Sequence, residues 1–274
     1  MKRILWFVLL MLLILMGLAF CTKPENVLLE KLPVSCIVDL PAIDSAEGDL
    51  QGTTLPAPAC DSISDVDGNV YKTIRIGSQT WMAENLKTTR YNDGSMIPHV
   101  TDLIEWAQLI EFEKFIECAQ LTTGTYYWYD NDSSNKDIYG AIYNWYAVDR
   151  GNLCPTGWHV PTDAEWTELA NFLGGTQVAG GKLKETGTTH WLDPNNGATN
   201  ENGFTALPGA VNDGYYGSDD WWLGDYDAGM YGLWWSASDY DIFGIYRSII
   251  NLYTPLYQTG GIKNCGASVR CLKD

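Results

Sequence analysis

Basic residues are scarce in this chain, which has 17 Lys and Arg against 34 Asp and Glu and a formal net charge of −17. Proteins bind nucleic acid largely by placing Lys and Arg beside phosphates and releasing counterions. The same shortage disfavours anionic lipid head groups. The composition therefore excludes nucleic acid as a partner and is typical of an exported, acidic domain.

The sequence also lacks the short motifs of familiar catalytic sites. It contains no GxSxG, no HExxH and no phosphate-cradling glycine loop. It has no CxxC and no Cys/His pair of zinc spacing, and its histidines, His99, His159 and His190, are scattered. Carboxylates are plentiful, but nothing marks two of them as the acid and the nucleophile of a hydrolase. We therefore expect no enzymatic activity.

The start of the chain has the layout of a secretory signal. Two basic residues precede an uncharged apolar run, Ile4–Phe20, and Cys21 follows directly. The Leu18–Cys21 ending resembles a bacterial lipoprotein box, in which the cysteine receives a diacylglycerol. We expect residues 1–20 to be a signal peptide and Cys21 to anchor an exported protein at the outer membrane or cell surface. An uncleaved membrane anchor is the alternative.

Residues 21–61 form the next segment of the chain. They are rich in proline and small polar residues and show little hydrophobic periodicity. We therefore expect a lipidated tether that holds the folded domain, residues 62–274, away from the membrane. Besides Cys21 there are six cysteines, which indicate disulfides in an oxidising compartment but leave their pairing open.

The strongest local signals lie between Cys154 and Gly175. Thr162 and Glu165 have the spacing of a helix capping box. An apolar stripe follows at helical spacing, and two glycines then end the helix. The stripe consists of Trp166, Leu169, Ala170 and Leu173. Before the cap, Trp158–Val160 is predicted to be a short extended segment.

Other patterns predict elements along the chain. Alternating residues indicate a strand at Val70–Ile76 and a returning strand at Gln79–Ala83. Asp67-Gly68 indicates a hairpin turn, and a calcium loop is disfavoured there because Ile76 occupies the position of the required Glu. The other predicted elements are a helix at Asp102–Leu121 and strands at Lys182–Glu185, Leu233–Ser236, Tyr246–Tyr253 and Ala267–Leu272.

Several blocks of sequence resemble, in order, those of one bacterial family. The blocks are DVDGNVYKTIRIGSQTWMAENLKTTRYNDGSMIP, YGAIYNWYAV, LCPTGWHVPTDAEW, AGGKLKETGTTHW, GATNENGFTALPGA, WWSAS and SVRCLKD. From about Asp65 to Asp274 the chain is thus similar to the Fibrobacter succinogenes major paralogous domain. The resemblance implies a secreted or lipid-anchored surface protein without an assigned activity.

The Cys154–Gly175 stretch is also similar to formylglycine-generating enzymes, which have a C-type-lectin-like fold. The resemblance implies an irregular α+β domain with short twisted antiparallel strands, few helices and long loops, whose first and last strands lie together. It also implies a disulfide between Cys154 and Cys271. The enzymes use a closely spaced, copper-binding cysteine pair. Cys265 and Cys271, the nearest candidates here, have the wrong spacing, so this activity is not expected.

One group of aromatic residues lies beside carboxylates. Trp221 and Trp222 follow Asp219 and Asp220, and Asp225 comes shortly after them. Flat aromatic faces stack on sugar rings, while carboxylates accept hydrogen bonds from sugar hydroxyls. These residues are the predicted ligand-binding residues for a glycan. The alternative is a loop folded over a minor core.

Several side chains follow the order of the calcium site in sugar-binding C-type lectins. That site has a Glu-Pro-Asn triplet, a later Glu and an Asn-Asp pair, and calcium prefers such oxygen ligands. The corresponding candidate Ca²⁺ ligands here are Asp193, Asn195, Glu201, Asn212 and Asp213. An ordinary turn at Asp193–Asn195 is the alternative.

The sequence thus predicts a surface lipoprotein with a non-catalytic domain that binds a glycan or a protein partner. The alternative is a structural or adhesive component of a cell-surface assembly, in which the loops contact sister proteins.

Overall fold

The computed structural model describes residues 62–101, 123–209 and 229–274. These residues belong to one structural unit, Pro56–Asp274, and form two sheets with short helices. The predicted α+β class is confirmed. No helix in the described ranges is long and apolar enough to cross a membrane. The predicted signal peptide, Cys21, the tether and the Asp102–Leu121 helix lie outside the described residues.

The described elements are named here in chain order. The strands are β1 (Ser62–Ser64), β2 (Val70–Ile76), β3 (Gln79–Met82), β4 (Tyr126–Trp128), β5 (Ala141–Asn144), β6 (Trp158–His159), β7 (Tyr231–Tyr240), β8 (Phe243–Ile250), β9 (Tyr257–Ile262), β10 (Gly266–Ser268) and β11 (Leu272–Lys273). The helices are α1 (Lys136–Tyr139), α2 (Trp145–Asp149), α3 (Asp163–Phe172) and α4 (Thr176–Leu183), and 3-10 turns lie at Tyr129–Asn131 and Ser133–Asn135. The strand orders are β1-β2-β3-β11-β6 and β4-β5-β10-β7-β8-β9.

The first sheet joins the start of the domain to its end. β11 lies between β3 and β6 and pairs antiparallel with both, so that Leu272 is opposite Trp81 on one side and His159 on the other. β1 and β2 extend the sheet beyond β3. The first and last described strands therefore share one sheet, as predicted.

The second sheet is antiparallel except where β10 runs parallel to β7, with Ser268 opposite Trp234. The predicted strand Leu233–Ser236 is confirmed as the middle of β7. The predicted strand Tyr246–Tyr253 overlaps β8 but ends too late, because the chain turns after Ile250.

The predicted single strand Ala267–Leu272 is wrong, because this segment divides between the two sheets as β10 and β11. Arg270 lies between the two strands and is buried in the core. Its guanidinium donates to Asn85 Oδ1 at 2.9 Å and to the carbonyl of Phe204, and it lies 4.1 Å from the Phe204 ring centroid. Arg270 therefore anchors the link between the two strands in the core.

The predicted strand Lys182–Glu185 is also wrong, because Lys182 and Leu183 form the end of α4. Gly180 and Gly181 let this helix approach neighbouring backbone closely. A Cβ on Gly180 would lie 2.3 Å from the carbonyl oxygen of Pro255. The two glycines therefore serve helix packing here.

Lys184 follows α4 and is fully buried. Its ammonium donates to the backbone carbonyls of Asn196, Ile250, Asn251 and Tyr253 at distances of 2.7 to 3.2 Å. Burial lowers the pKa of Lys184 to about 8. This one side chain therefore ties the end of α4 to two separate loops.

The Cys154–Gly175 stretch folds as predicted. The capping box of Thr162 and Glu165 is formed, and the whole apolar stripe is buried. Trp166 packs against Trp81, with ring centroids 4.7 Å apart. The Cys154–Cys271 disulfide is formed across a sequence separation of 117 residues.

The predicted turn at Asp67-Gly68 is part of the loop that joins β1 to β2. Asp65 Oδ1 accepts hydrogen bonds from the backbone N–H groups of Asp67 and Asn69, each at 2.9 Å. The Asp67 carboxylate accepts from Thr89 and Arg90. Both carboxylates therefore hold the loop together.

Candidate functional site

The outer face of α3 carries acidic and aromatic side chains. One flank of the helix, beside the apolar stripe that faces the core, carries Glu165, Glu168 and Phe172 at helical spacing. The Phe172 side chain is 60% exposed. This face therefore presents an aromatic ring and carboxylates together.

The β2–β3 turn lies against this face. Ser78 Oγ donates a hydrogen bond to Glu168 Oε1 at 2.5 Å. Gly77 has φ of 62°, and a Cβ there would lie 2.8 Å from an atom of the Phe172 ring. Glycine at position 77 therefore allows both the turn and the close seat of the ring beside it.

A cavity of about 290 Å³ lies between α3, this turn and the end of β11. The residues that line it are mostly polar. They are Ser78, Gln79, Thr80, Glu165, Glu168, Leu272, Lys273 and Asp274. Gln79 spans its floor, since its side-chain amide donates to the Glu165 carbonyl at 3.0 Å and accepts from Trp81 Nε1 at 3.2 Å. We call this cavity the α3 pocket.

His159 braces two of the pocket carboxylates. Its Nε2 lies 3.0 Å from Glu165 Oε1, and its Nδ1 lies 2.6 Å from Asp274 Oδ1. Burial alone would lower the pKa of His159, but hydrogen bonds to Asp274 and Glu165 outweigh burial and raise it. The imidazole therefore holds the end of the chain against α3.

Glu165 has both carboxylate oxygens engaged. Oε2 accepts from the Thr162 N–H at 2.7 Å and from its hydroxyl at 2.8 Å, while Oε1 faces His159. Burial raises the pKa of Glu165, but the bonds from Thr162 and His159 prevail and lower it. Glu165 is therefore a fixed anion at neutral pH.

Three of the predicted calcium ligands, Asp193, Asn195 and Glu201, are among the described residues. Asn195 Nδ2 donates to the carbonyls of Glu185 and Gly187, at 2.8 and 2.6 Å, and its buried Oδ1 has no hydrogen-bond partner within the described ranges. Glu201 Oε1 instead pairs with Lys182 Nζ at 3.1 Å. Asp193 is exposed.

The other predicted ligands, Asn212 and Asp213, lie outside the described residues. Among the residues that are described, no group of three or more His, Cys, Asp or Glu side chains is arranged to hold a metal ion. The calcium site therefore stays a prediction.

The predicted glycan residues Trp221, Trp222, Asp219, Asp220 and Asp225 also lie outside the described residues. The chain resumes at Gly229, whose carbonyl accepts a hydrogen bond from the Leu192 N–H at 2.9 Å. Leu192 directly precedes Asp193. Gly229 is therefore next to the residue that precedes the predicted calcium triplet.

A family model for the Fibrobacter succinogenes major domain matches residues 74–273. The chain belongs to this family. No curated protein and no solved structure matches the chain. The matched region of this Fibrobacter succinogenes major domain includes every residue that lines the α3 pocket except Asp274. Asp274 directly follows the last matched residue.

No sequence pattern described above predicts the α3 pocket as a site, although one signal is present. Phe172 falls off the apolar stripe, and a large aromatic side chain on the solvent face of a short helix is a candidate contact residue. Glu165 was interpreted only as a helix cap. The sequence around α3 does not indicate that Ser78 and Asp274 lie beside this helix. Their position depends on strand pairing in the first sheet.

Proposed function

We propose that this protein is an exported, lipid-anchored surface protein whose domain binds a glycan without catalysis, and that the α3 pocket is a glycan contact site. The domain is further proposed to be C-type-lectin-like. The signal-like start, the acidic composition and the family membership support export. The family itself is without an assigned activity, so the ligand class is proposed from the chemistry of the site.

The observation that carries the proposal is a polar-lined cavity with an exposed aromatic ring next to it, on the other side of the turn at Gly77. Glu168, Asp274 and Ser78 present oxygen atoms in a cavity of about 290 Å³. The Phe172 ring lies beside the turn that contributes Ser78. Sugar rings combine an apolar face with hydroxyl groups, and such sites bind them by stacking and hydrogen bonding.

Binding is favoured over glycoside hydrolysis because of the ionisation state of Glu165, the half-buried carboxylate of the pocket. A hydrolase needs a general acid whose pKa is raised. The pKa of Glu165 is lowered, and its two oxygens are engaged by Thr162 and His159. Glu165 is therefore suited to holding the pocket wall in place.

A second part of the proposal concerns calcium. The buried Oδ1 of Asn195 remains available as a ligand, and the chain resumes beside Leu192 after the segment that carries Asn212 and Asp213. We propose that this segment completes an oxygen-rich Ca²⁺ site and that Trp221 and Trp222 add a second sugar contact.

A glycan array followed by titration calorimetry tests the pocket. The full-length protein would be compared with Phe172→Ala and Glu168→Gln variants, with Met96→Ala as a control because Met96 is exposed elsewhere. We expect the array to identify a glycan whose affinity falls about tenfold in each pocket variant and is unchanged in the control.

Trp221→Ala separates the two contact sites. If that variant loses binding while the pocket variants retain it, the glycan site is at the tryptophan segment and the pocket assignment is wrong. Absence of any glycan ligand would contradict the proposed function as a whole.

Lipid anchoring is tested by the intact mass of the membrane-extracted protein. We expect a mass that lacks residues 1–20 and includes a diacylglycerol on Cys21. A mass that retains those residues would favour the uncleaved anchor.

A further inference from the structure

β9 lies at one end of the second sheet. It pairs antiparallel with β8 along its whole length, from Tyr257 opposite Ser248 to Ile262 opposite Phe243. Within the described part of the chain, no strand pairs with the other side of β9. Since neighbouring residues of a strand point their N–H and C=O groups to opposite sides, about half of the β9 residues direct theirs outward.

This edge lacks the devices that normally prevent further pairing. Such edges usually carry charged side chains, proline or a bulge. The β9 sequence YQTGGI has no charge and no proline, and its register with β8 is continuous. The register shift in the sheet lies further in, between β7 and β8.

Exposed apolar side chains lie at both ends of the edge. At one end Leu252, Tyr253 and Tyr257 are exposed, and at the other the β7–β8 turn exposes its own apolar side chains. These are Tyr240, Ile242 and Phe243, of which Tyr240 is 77% exposed. An added strand would therefore meet apolar contacts at each end as well as backbone groups along its length.

The charges indicate what kind of strand fits. Asp241 is exposed at the β7–β8 turn. The nearby carboxylate of Asp239 already forms an ion pair, in which its Oδ2 lies 2.6 Å from Lys263 Nζ. The net charge of −17 opposes association of two copies of this chain. An occupant with basic residues avoids this repulsion and pairs with the exposed Asp241.

We propose that β9 is a docking edge that accepts an extended, basic segment of a partner protein as an additional strand. Backbone hydrogen bonds would supply most of the attachment, and apolar side chains at the two ends of β9 would set its position. This surface belongs to the second sheet, whereas the α3 pocket adjoins the first. Loss of one binding activity is therefore distinguishable from loss of the other.

Site-specific photo-cross-linking in the producing cells is the first test. The full chain would carry benzoylphenylalanine at Gln258, with the same group at exposed Met96 as a control. We expect adducts from position 258 alone that map to one basic segment of another protein. Adducts to a second copy, adducts to this chain's own residues, or no adduct would overturn the proposal.

Hydrogen exchange of the purified full-length protein is the second test, with a synthetic peptide of the mapped segment as the probe. A captured partner supports the proposal only if the peptide slows exchange at alternate amides within residues 257–262, which is the signature of strand addition. Binding without that alternating protection would overturn it.

Proline substitutions provide a matched pair of variants. Gln258→Pro and Thr259→Pro each remove one N–H, and the two N–H groups point to opposite sides of β9. We expect the variant that keeps the wild-type melting temperature to bind the peptide at least tenfold more weakly, because it has lost an outward donor. Unchanged affinity in that variant would contradict the docking edge.

Discussion

The imidazole of His159 lies with Nδ1 2.6 Å from Oδ1 of Asp274, while its other nitrogen faces Glu165 at 3.0 Å. A neutral imidazole has only one N–H and cannot donate to both carboxylates. The doubly protonated ring can. The contact therefore stabilises the charged form and makes the junction between β11 and α3 sensitive to pH.

We expect the stability contributed by His159 to be lost at alkaline pH. Its folded pKa is raised above the usual value of 6.5, so the contribution is complete below pH 6.5 and disappears as the pH rises through the folded pKa. Urea unfolding of wild type and His159→Gln between pH 5.5 and about 9 measures it. Because the side chain is 35% exposed, the difference should be at most about 1 kcal/mol. A difference that grows with pH would contradict this.

Removal of the Cys154–Cys271 disulfide should destabilise the domain strongly. The bridge closes a loop with a sequence separation of 117 residues, for which chain entropy gives about 5 kcal/mol. We expect the Cys154→Ala, Cys271→Ala double variant to have a far lower urea midpoint than the oxidised wild type. Reduced wild type serves as the control and should resemble the variant. A midpoint within error of oxidised wild type would contradict the prediction.

Replacement of Lys184 by Met should be costly. The substitution removes the donor that four backbone carbonyl groups share, of which that of Asn251 is in a buried hydrogen bond, and we expect a loss of about 2–4 kcal/mol in the free energy of unfolding. Lys182→Met is the matched control, because Lys182 is partly exposed and its ion pair among the described residues is with Glu201 alone. We expect less than about 1 kcal/mol there. Equal effects of the two substitutions would show that the carbonyl contacts contribute little.

Gly77→Ala tests how closely the Phe172 ring packs against the β2–β3 turn. The residue has a positive φ, and an added Cβ would clash with the ring, whereas a Cβ on Gly94 would meet nothing within 4 Å despite a similar φ of 82°. We expect Gly94→Ala to cost about 1 kcal/mol from backbone strain alone and Gly77→Ala to cost more. Combining Gly77→Ala with Phe172→Ala should remove the excess. Thermal unfolding of the wild type, the two single variants and the double variant measures this excess loss of stability. If the excess remains when Phe172 is alanine, contact with the ring is not its cause.

Calcium binding is tested by calorimetry of the full-length protein against the same protein kept in chelator. We expect heat on addition of Ca²⁺ and a raised melting temperature, both reduced by Asn195→Ala because this residue supplies one proposed ligand. Glu185→Gln is a control outside the proposed ligand set. Neither heat nor a thermal shift in wild type would remove calcium from the proposal.

Local patterns in the sequence predicted local structure well. The bond between Thr162 and Glu165, the buried stripe from Trp166 to Leu173 and the strand Val70–Ile76 all depend on residues close together in the chain. Such elements are visible in spacing alone. The family resemblance predicted the long-range disulfide, which spacing could not.

Contacts between distant segments accounted for the errors. The pattern at Lys182–Glu185 predicted a strand and gave no sign of the buried ammonium, because three of the four carbonyl partners of Lys184 lie 66 to 69 residues further along the chain. The pattern at Ala267–Leu272 predicted one strand, although the chain leaves one sheet and enters the other around Arg270. The buried partner of Arg270, Asn85, is 185 residues away, so the local sequence does not indicate this division. The α3 pocket has no sequence signal for the same reason, because strand pairing in the first sheet brings Ser78 and Asp274, which are 196 residues apart, to the same cavity beside α3.

The division of residues 266–273 between β10 and β11 has a consequence for biosynthesis. This short segment lies inside both sheets, with neighbours on either side of each strand. A ribosome must therefore finish translating it before either sheet can close. Under the proposed export, sheets that stay open until that moment would leave the chain able to pass through a translocation channel, and the sheets would close on the far side of the membrane.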